Sequence, residues 1–200
     1  MQLTTALYLA HLNPITISHV EIIRELQDMA DSVNIMPVIF MKGDEEINSR
    51  SFPFGFDIRK KMLESVFGDM VTVSRNYTFY APFSKYMPPL LSPGSWRLRK
   101  QILWGIDDDY FTYTGDRAEG YMLKLYRLRP RVGSRKDISA SFVREMLYDA
   151  AKGAAPSWKK YVPGAAVDVV VKHWDVVTKF ADAEDHTTRV AGMKFPKQGW

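Results

Sequence analysis

The chain has 200 residues, no cysteine, 46% hydrophobic residues and a formal net charge of +4. It is long enough to bury one sizeable core. With no thiols, a disulfide framework and a thiolate metal site are excluded, and a reducing, cytoplasmic setting is expected. A basic balance suits an anionic partner, whether nucleic acid, membrane surface or a phosphorylated small molecule, and does not choose among them.

The opening MQLTTALYLAHLNP is apolar for too few residues to be a membrane span and lacks a basic leader, so it reads as a buried first strand. A helix is expected from about Ile17 to Met29, followed by a second apolar run, VNIMPVIF (33–40). Strand, helix, strand in that order implies parallel neighbours and a right-handed crossover. The turn after the first strand then falls at the carboxyl edge of the sheet, where ligands bind in open α/β folds. Further helices are read at 55–67, 95–106 and in AEGYMLKLYRL, with strands at 70–75 and 109–115. SASFVREMLYDAAKG (139–153) is a helix capped by Ser139 and stopped by Gly153. VDVVVKHWDVVTKFADA (167–183) reads as a last helix. The expected division is a single domain over 1–184, with a helical part at about 139–184, and a polar, fraying tail over 185–200.

Two irregular stretches, 42–56 and 76–95, come after strand ends. The second carries Tyr77, Phe79, Tyr80, Phe83 and Tyr86, which could stack on a flat ring or fill a satellite core. Lys124, Arg127, Arg129, Arg131, Arg135 and Lys136 crowd one short segment that calls for an anionic partner or abundant water.

The stretch HLNPITISHVEII places Thr16 and His19 on the first turn of a helix. Free N–H groups and the positive end of the helix dipole make such a start an anion site, and an imidazolium there would offset charge developing on a phosphoryl group. KDISASFVRE repeats the arrangement with Ser139, Ser141 and Arg144. Each start by itself is also what an ordinary hydroxyl cap looks like. Two of them at one sheet edge favour a site that grips the phosphates of a nucleotide from two sides.

NPITISH and ISASFVR resemble the T/H-x-x-H and I-S-x-T/S-x-x-R signatures of the nucleotidylyltransferase superfamily. NPITISH is most similar to nicotinamide mononucleotide adenylyltransferases, and SRSFPFGFDIRKKML and WKKYVP also resemble segments of those enzymes. The resemblance implies a Rossmann-like fold with a central parallel sheet and helices on both faces. It implies transfer of AMP from ATP, assisted by Mg²⁺, to nicotinamide mononucleotide, giving NAD and pyrophosphate without a covalent enzyme intermediate. Carried over by motif position, Thr16 and His19 would be catalytic, and ATP would be held by Asn13, Thr16, His19, Gly115, Asp116, Ser139, Ser141 and Arg144. No protein metal ligand is implied. Within the aromatic loop and just beyond its end, Tyr80 and Trp96 are candidates to stack on the acceptor ring. Ala10 stands where many members have glycine, and Thr16 and Ser18 depart from the commonest H-x-G-H form. Phosphopantetheine adenylyltransferases carry a very similar phrase after an aspartate, and cytidylyltransferases of the same fold share its second His. A non-catalytic nucleotide- or nucleic-acid-binding protein is the reading from another class; nucleic acid is not favoured, because no recognised reading module accompanies the basic segment. Membrane association is not expected, and assembly into a homo-oligomer is left open.

Overall fold

The structure, a computed structural model, describes residues 4–89, 91–107, 109–115, 117–134, 136–190 and 193–200. The chain runs β1 (Thr5–Ala10), α1 (Ile17–Met29), β2 (Ser32–Pro37), β3 (Ile39–Lys42), β4 (Glu45–Glu46), α2 (Phe56–Phe67), β5 (Thr72–Val73), β6 (Thr78–Tyr80), α3 (Pro93–Ile102), β7 (Tyr110–Thr114), α4 (Arg117–Leu125), β8 (Pro130–Val132), α5 (Ala140–Ala151), α6 (Gly164–Lys172), α7 (Trp174–Ala181), β9 (Thr187–Val190) and β10 (Met193–Pro196). The main sheet is parallel, in the order β5-β2-β1-β7-β8. No described helix is long and apolar enough to cross a membrane.

Strand alternation divides the interior in two. Ala6 and Tyr8 of β1 lie beside Val33 and Ile35 of β2 and Phe111 and Tyr113 of β7. They face a core completed by Ile23 and Leu26 of α1, Met62 and Leu63 of α2, Val143 and Leu147 of α5, and Val170 and Val177 of the last two helices. Leu7 and Leu9 point the other way, into a core with Leu98 and Ile102 of α3 and Met122 and Leu123 of α4. Helices therefore cover both faces, as the α/β reading required. In α1 the buried Val20, Ile22, Ile23 and Leu26 recur at helical spacing, which fixes the face it presents to β1 and β2.

Three elements differ from the sequence reading. VNIMPVIF is two strands: Pro37, opposite Ala10, ends β2, and the chain continues as β3 in a separate sheet ordered β4-β3-β6. Proline has no N–H for the ladder, and the next amide, Val38, donates to the Ala10 carbonyl at 3.0 Å. The final helix is broken at His173 into α6 and α7, where a run of β-branched valines weakens helical preference. The tail expected to fray is instead an antiparallel hairpin, β9-β10, with Met193 and Phe195 in the second core. The apolar residues of MKFP alternate at strand period, and that signal outweighs the flanking Gly and Pro.

The loop aromatics turn inward. Tyr77, Phe79, Phe83 and Tyr86 are buried in the second core, with Phe79 and Tyr86 edge to face at 5.0 Å. They are core residues.

Candidate active site

Beyond the carboxyl ends of β1 and β7 lies a cavity of about 760 Å³, within the size range of small-molecule sites. Its walls include His11 after β1, His19 on α1, Thr114 and Gly115 at the end of β7, and Ser139 before α5. A smaller cavity of about 240 Å³ adjoins it and is lined by Ser141 and Arg144 of α5. His11, Glu119, Ala140 and Arg189 line both. The two helix starts read from sequence are thus brought to one place.

The turn between β1 and α1 is built by side chains that hold main chain. Leu12 is buried with φ +49°, a conformation that costs a non-glycine residue energy and persists only where its surroundings impose it. The imposing contacts are visible. The Asn13 amide donates from Nδ2 to the Phe54 carbonyl at 2.7 Å and accepts at Oδ1 from the Phe54 N–H at 3.1 Å. Arg59, 3% exposed, donates to the His11 carbonyl at 2.9 Å and the Val38 carbonyl at 2.8 Å, while its charge is met by Glu46 at 3.0 Å. Glu46 also receives the Phe56 N–H at the start of α2. The Asn13 side chain, which the signature implied would meet ATP, donates to and accepts from Phe54 and lines neither cavity.

Thr16 is likewise bonded within the turn. It is 0% exposed and sits at the N-cap of α1, and both its N–H and its hydroxyl lie 3.0 Å from His19 Nδ1. With Nδ1 accepting the Thr16 N–H, a neutral His19 carries its proton on Nε2. Thr16 thereby orients the ring. Burial, and then the Arg144 charge, push the His19 pKa down to about 4, so at neutral pH it is a neutral donor and not the imidazolium expected from sequence.

Arg144 is 6% exposed and links the two helix starts: it donates to the Asn13 carbonyl and, at 2.8 Å, to the Ser141 hydroxyl. Burial lowers its pKa. Ser139 Oγ caps α5 by accepting from the Phe142 N–H at 3.2 Å, and the residue lies on the wall of the larger cavity. Gly115 lines the larger cavity, whereas Asp116 lies outside the described residues.

The structure does not bring Tyr80 and Trp96 to either cavity. On β6, Phe79 points inward, so Tyr80 points outward and is 45% exposed; α3 buries Ser95 and Leu98 and turns Trp96 outward. Three cations of the basic segment make contacts within the fold, while Lys124, Arg127, Arg129 and Arg131 stay exposed. Arg131 stacks on Phe111, Arg129 on Tyr110, and Lys136 pairs with Glu25 at 2.6 Å; Arg135 is not described.

Sequence reasoning missed His11, whose ring stacks on Phe52 with centroids 4.6 Å apart. Burial and the charges of Arg59, Arg144 and Lys194 push its pKa down to about 3. It lay in plain view within HLNPITISH, hidden by the strand reading before it. Arg189 was missed because the tail was read as unstructured.

Solved structures of known proteins share this architecture. A bifunctional NMN adenylyltransferase/ADP-ribose pyrophosphatase from Francisella tularensis superposes with a TM-score of 0.62 at 16% identity, covering 92% of this chain and 51% of that one. The chain has the nucleotidylyltransferase fold. A second structure of the Francisella protein, complexed with AMP and a manganese ion, gives 0.59 at the same identity, over 92% and 50% of the two chains. Nicotinic acid mononucleotide adenylyltransferase of Plasmodium falciparum, complexed with NaAD, gives 0.50 at 14% identity over 88% of this chain and 98% of that one. This nucleotidylyltransferase-fold chain spans about half the length of the Francisella protein. Neither a protein-family model nor a curated protein matches the sequence.

Proposed function

We propose that the protein transfers AMP from ATP to nicotinamide mononucleotide, forming NAD and pyrophosphate. The observation that carries this reading is that the N-terminal ends of α1 and α5 open on one nucleotide-sized cavity, with a histidine held by its own helix start so that Nε2–H is the free donor. An oxygen of the acceptor phosphate attacks the α-phosphorus of ATP in line; the bond to the bridging oxygen breaks and its electron pair leaves with pyrophosphate. Both reactants are anionic, so the protein's tasks are to position them and to offset charge. His19 donates from Nε2 to a non-bridging α-phosphate oxygen as negative charge grows there. Ser139, Ser141, Arg144 and the free N–H groups of α5 hold the remaining phosphates.

The nucleotide enters as MgATP. Among the described residues no group of three or more His, Cys, Asp or Glu side chains could hold a metal by itself. The acceptor assignment rests on the sequence phrase and on solved relatives whose names specify pyridine mononucleotides.

Pyrophosphate release tests the reading, with ATP or CTP offered against nicotinamide mononucleotide, its acid form, phosphopantetheine and polyol phosphates. Fastest turnover with ATP and a pyridine mononucleotide is expected. Faster turnover with phosphopantetheine or with CTP would overturn the acceptor or donor assignment, and binding of ATP without turnover of any pair would overturn the enzyme reading.

A further inference from the structure

The C-terminal hairpin has two unlike faces. In its register Arg189 stands opposite Lys194, and Thr188 opposite Phe195, so strand alternation sends Met193 and Phe195 to one side and the two cations to the other. The apolar side is firmly seated. Phe195 lies 5.3 Å from Phe40 and Phe79 and 5.7 Å from Phe83, between ring centroids. Just beyond, Gly199 presses so closely on Phe83 that an added Cβ would fall 2.1 Å from its ring. The cationic side is consequently held over the site and not left to wander.

Lys194 is compensated locally by Asp185 at 2.9 Å and by the Ser51 hydroxyl at 2.6 Å. Arg189 reaches the wall common to both cavities, beside His11 and Ala140. Arg189 and the carboxylate Glu119 thus stand on the wall where a substrate would lie.

We propose that the hairpin is a working part of the nucleotide site, with Arg189 holding phosphate oxygens of a bound substrate. The inference rests on the adenylyl-transfer reading. A guanidinium suits the task because its planar fork meets two phosphate oxygens at once. The phosphate belongs either to ATP or to the acceptor mononucleotide, and the experiment separates them.

Dissociation constants for ATP and for nicotinamide mononucleotide are measured separately by calorimetry, with KM values alongside, for the wild-type protein and for Arg189→Ala, Arg189→Lys and Lys172→Ala. Arg189→Ala should weaken one of the two ligands by roughly ten- to a hundredfold, the loss expected for one charge-assisted hydrogen bond, and the ligand affected identifies whose phosphate is held. Arg189→Lys should recover part of the loss. Lys172→Ala, an exposed charge on α6, should change neither constant, which separates a contact from an effect of net charge. Because Arg189 is exposed, the melting temperature should stay within about 2 °C. The inference is overturned if Arg189→Ala leaves both constants within about twofold of a wild type that does bind and turn over, or if it weakens binding only together with melting of the hairpin. A wild type that binds neither ligand overturns the adenylyl-transfer reading itself, and this inference with it.

Discussion

Acidification should unfold this protein earlier than its carboxylates alone would dictate, because two histidines are held neutral near the site. An unfolded-state histidine titrates near 6.5, whereas burial holds His19 at about 4 and His11 at about 3 in the fold. At pH 7 both states are unprotonated and neither residue affects stability. As pH falls through 6.5 the unfolded chain takes up protons that the folded chain refuses, and each histidine then removes up to about 1.4 kcal/mol per pH unit. Together they should lower stability by roughly 2–3 kcal/mol per unit between about pH 6 and 4, against a total of about 5–15 kcal/mol for a typical domain. Urea denaturation at half-unit steps from pH 7.5 to 4.5 measures this directly, with the slope against urea held constant as the check on two-state behaviour. His11→Gln should reduce the pH dependence by about half in the same window. A midpoint that stays level down to pH 5 would refute the burial argument, because carboxylates begin to protonate only below that.

His19→Ala should lower turnover by roughly a hundredfold or more through loss of a preorganised donor, and should cost about 1–3 kcal/mol of stability by leaving the buried Thr16 N–H unpaired. Turnover and melting measured on the same preparation separate the two effects, and near wild-type turnover would remove His19 from the mechanism. Arg144→Ala should raise the KM for ATP more than that for the acceptor and also lower the melting temperature, because the same guanidinium ties the Asn13 carbonyl to Ser141; equal KM effects would count against the phosphate role. Asn13→Ala, which breaks two buried hydrogen bonds to Phe54, should destabilise by about 2–4 kcal/mol by urea titration, and a loss below about 1 kcal/mol would show that the turn holds its shape without the clamp. Tyr80→Ala should leave the acceptor KM within about twofold, since an outward-facing position away from the cavities carries little energy.

Periodicity made the main architecture legible. The bounds of α1 match the apolar spacing of ISHVEIIRELQDM, and the alternation of β1 places its residues in two cores. Pairing between short segments was not legible. β8 has only three residues, in a stretch whose charges dominate the pattern, and nothing local marks it as the partner of β7. At the site, spacing alone located the two helix starts but could not say what each polar group was bonded to. Asn13 and Thr16 have the residue types of a phosphate site, yet their side chains are bonded to Phe54 and His19. His11 acquires its surroundings from Phe52 and Arg59, roughly forty and fifty positions away in sequence, which no short motif window spans.

The bond between Asn13 and Phe54 also governs which motions the protein can make. Because the turn before α1 is fastened to the main chain at Phe54, and through Arg59 to the ends of β1 and β2, it cannot open without releasing the start of α2 as well. The two segments form one cooperative unit whose amides should exchange with solvent together and slowly. A nucleotide arriving at this edge of the sheet therefore meets a surface already in its working shape, and spends little of its binding energy on ordering the chain.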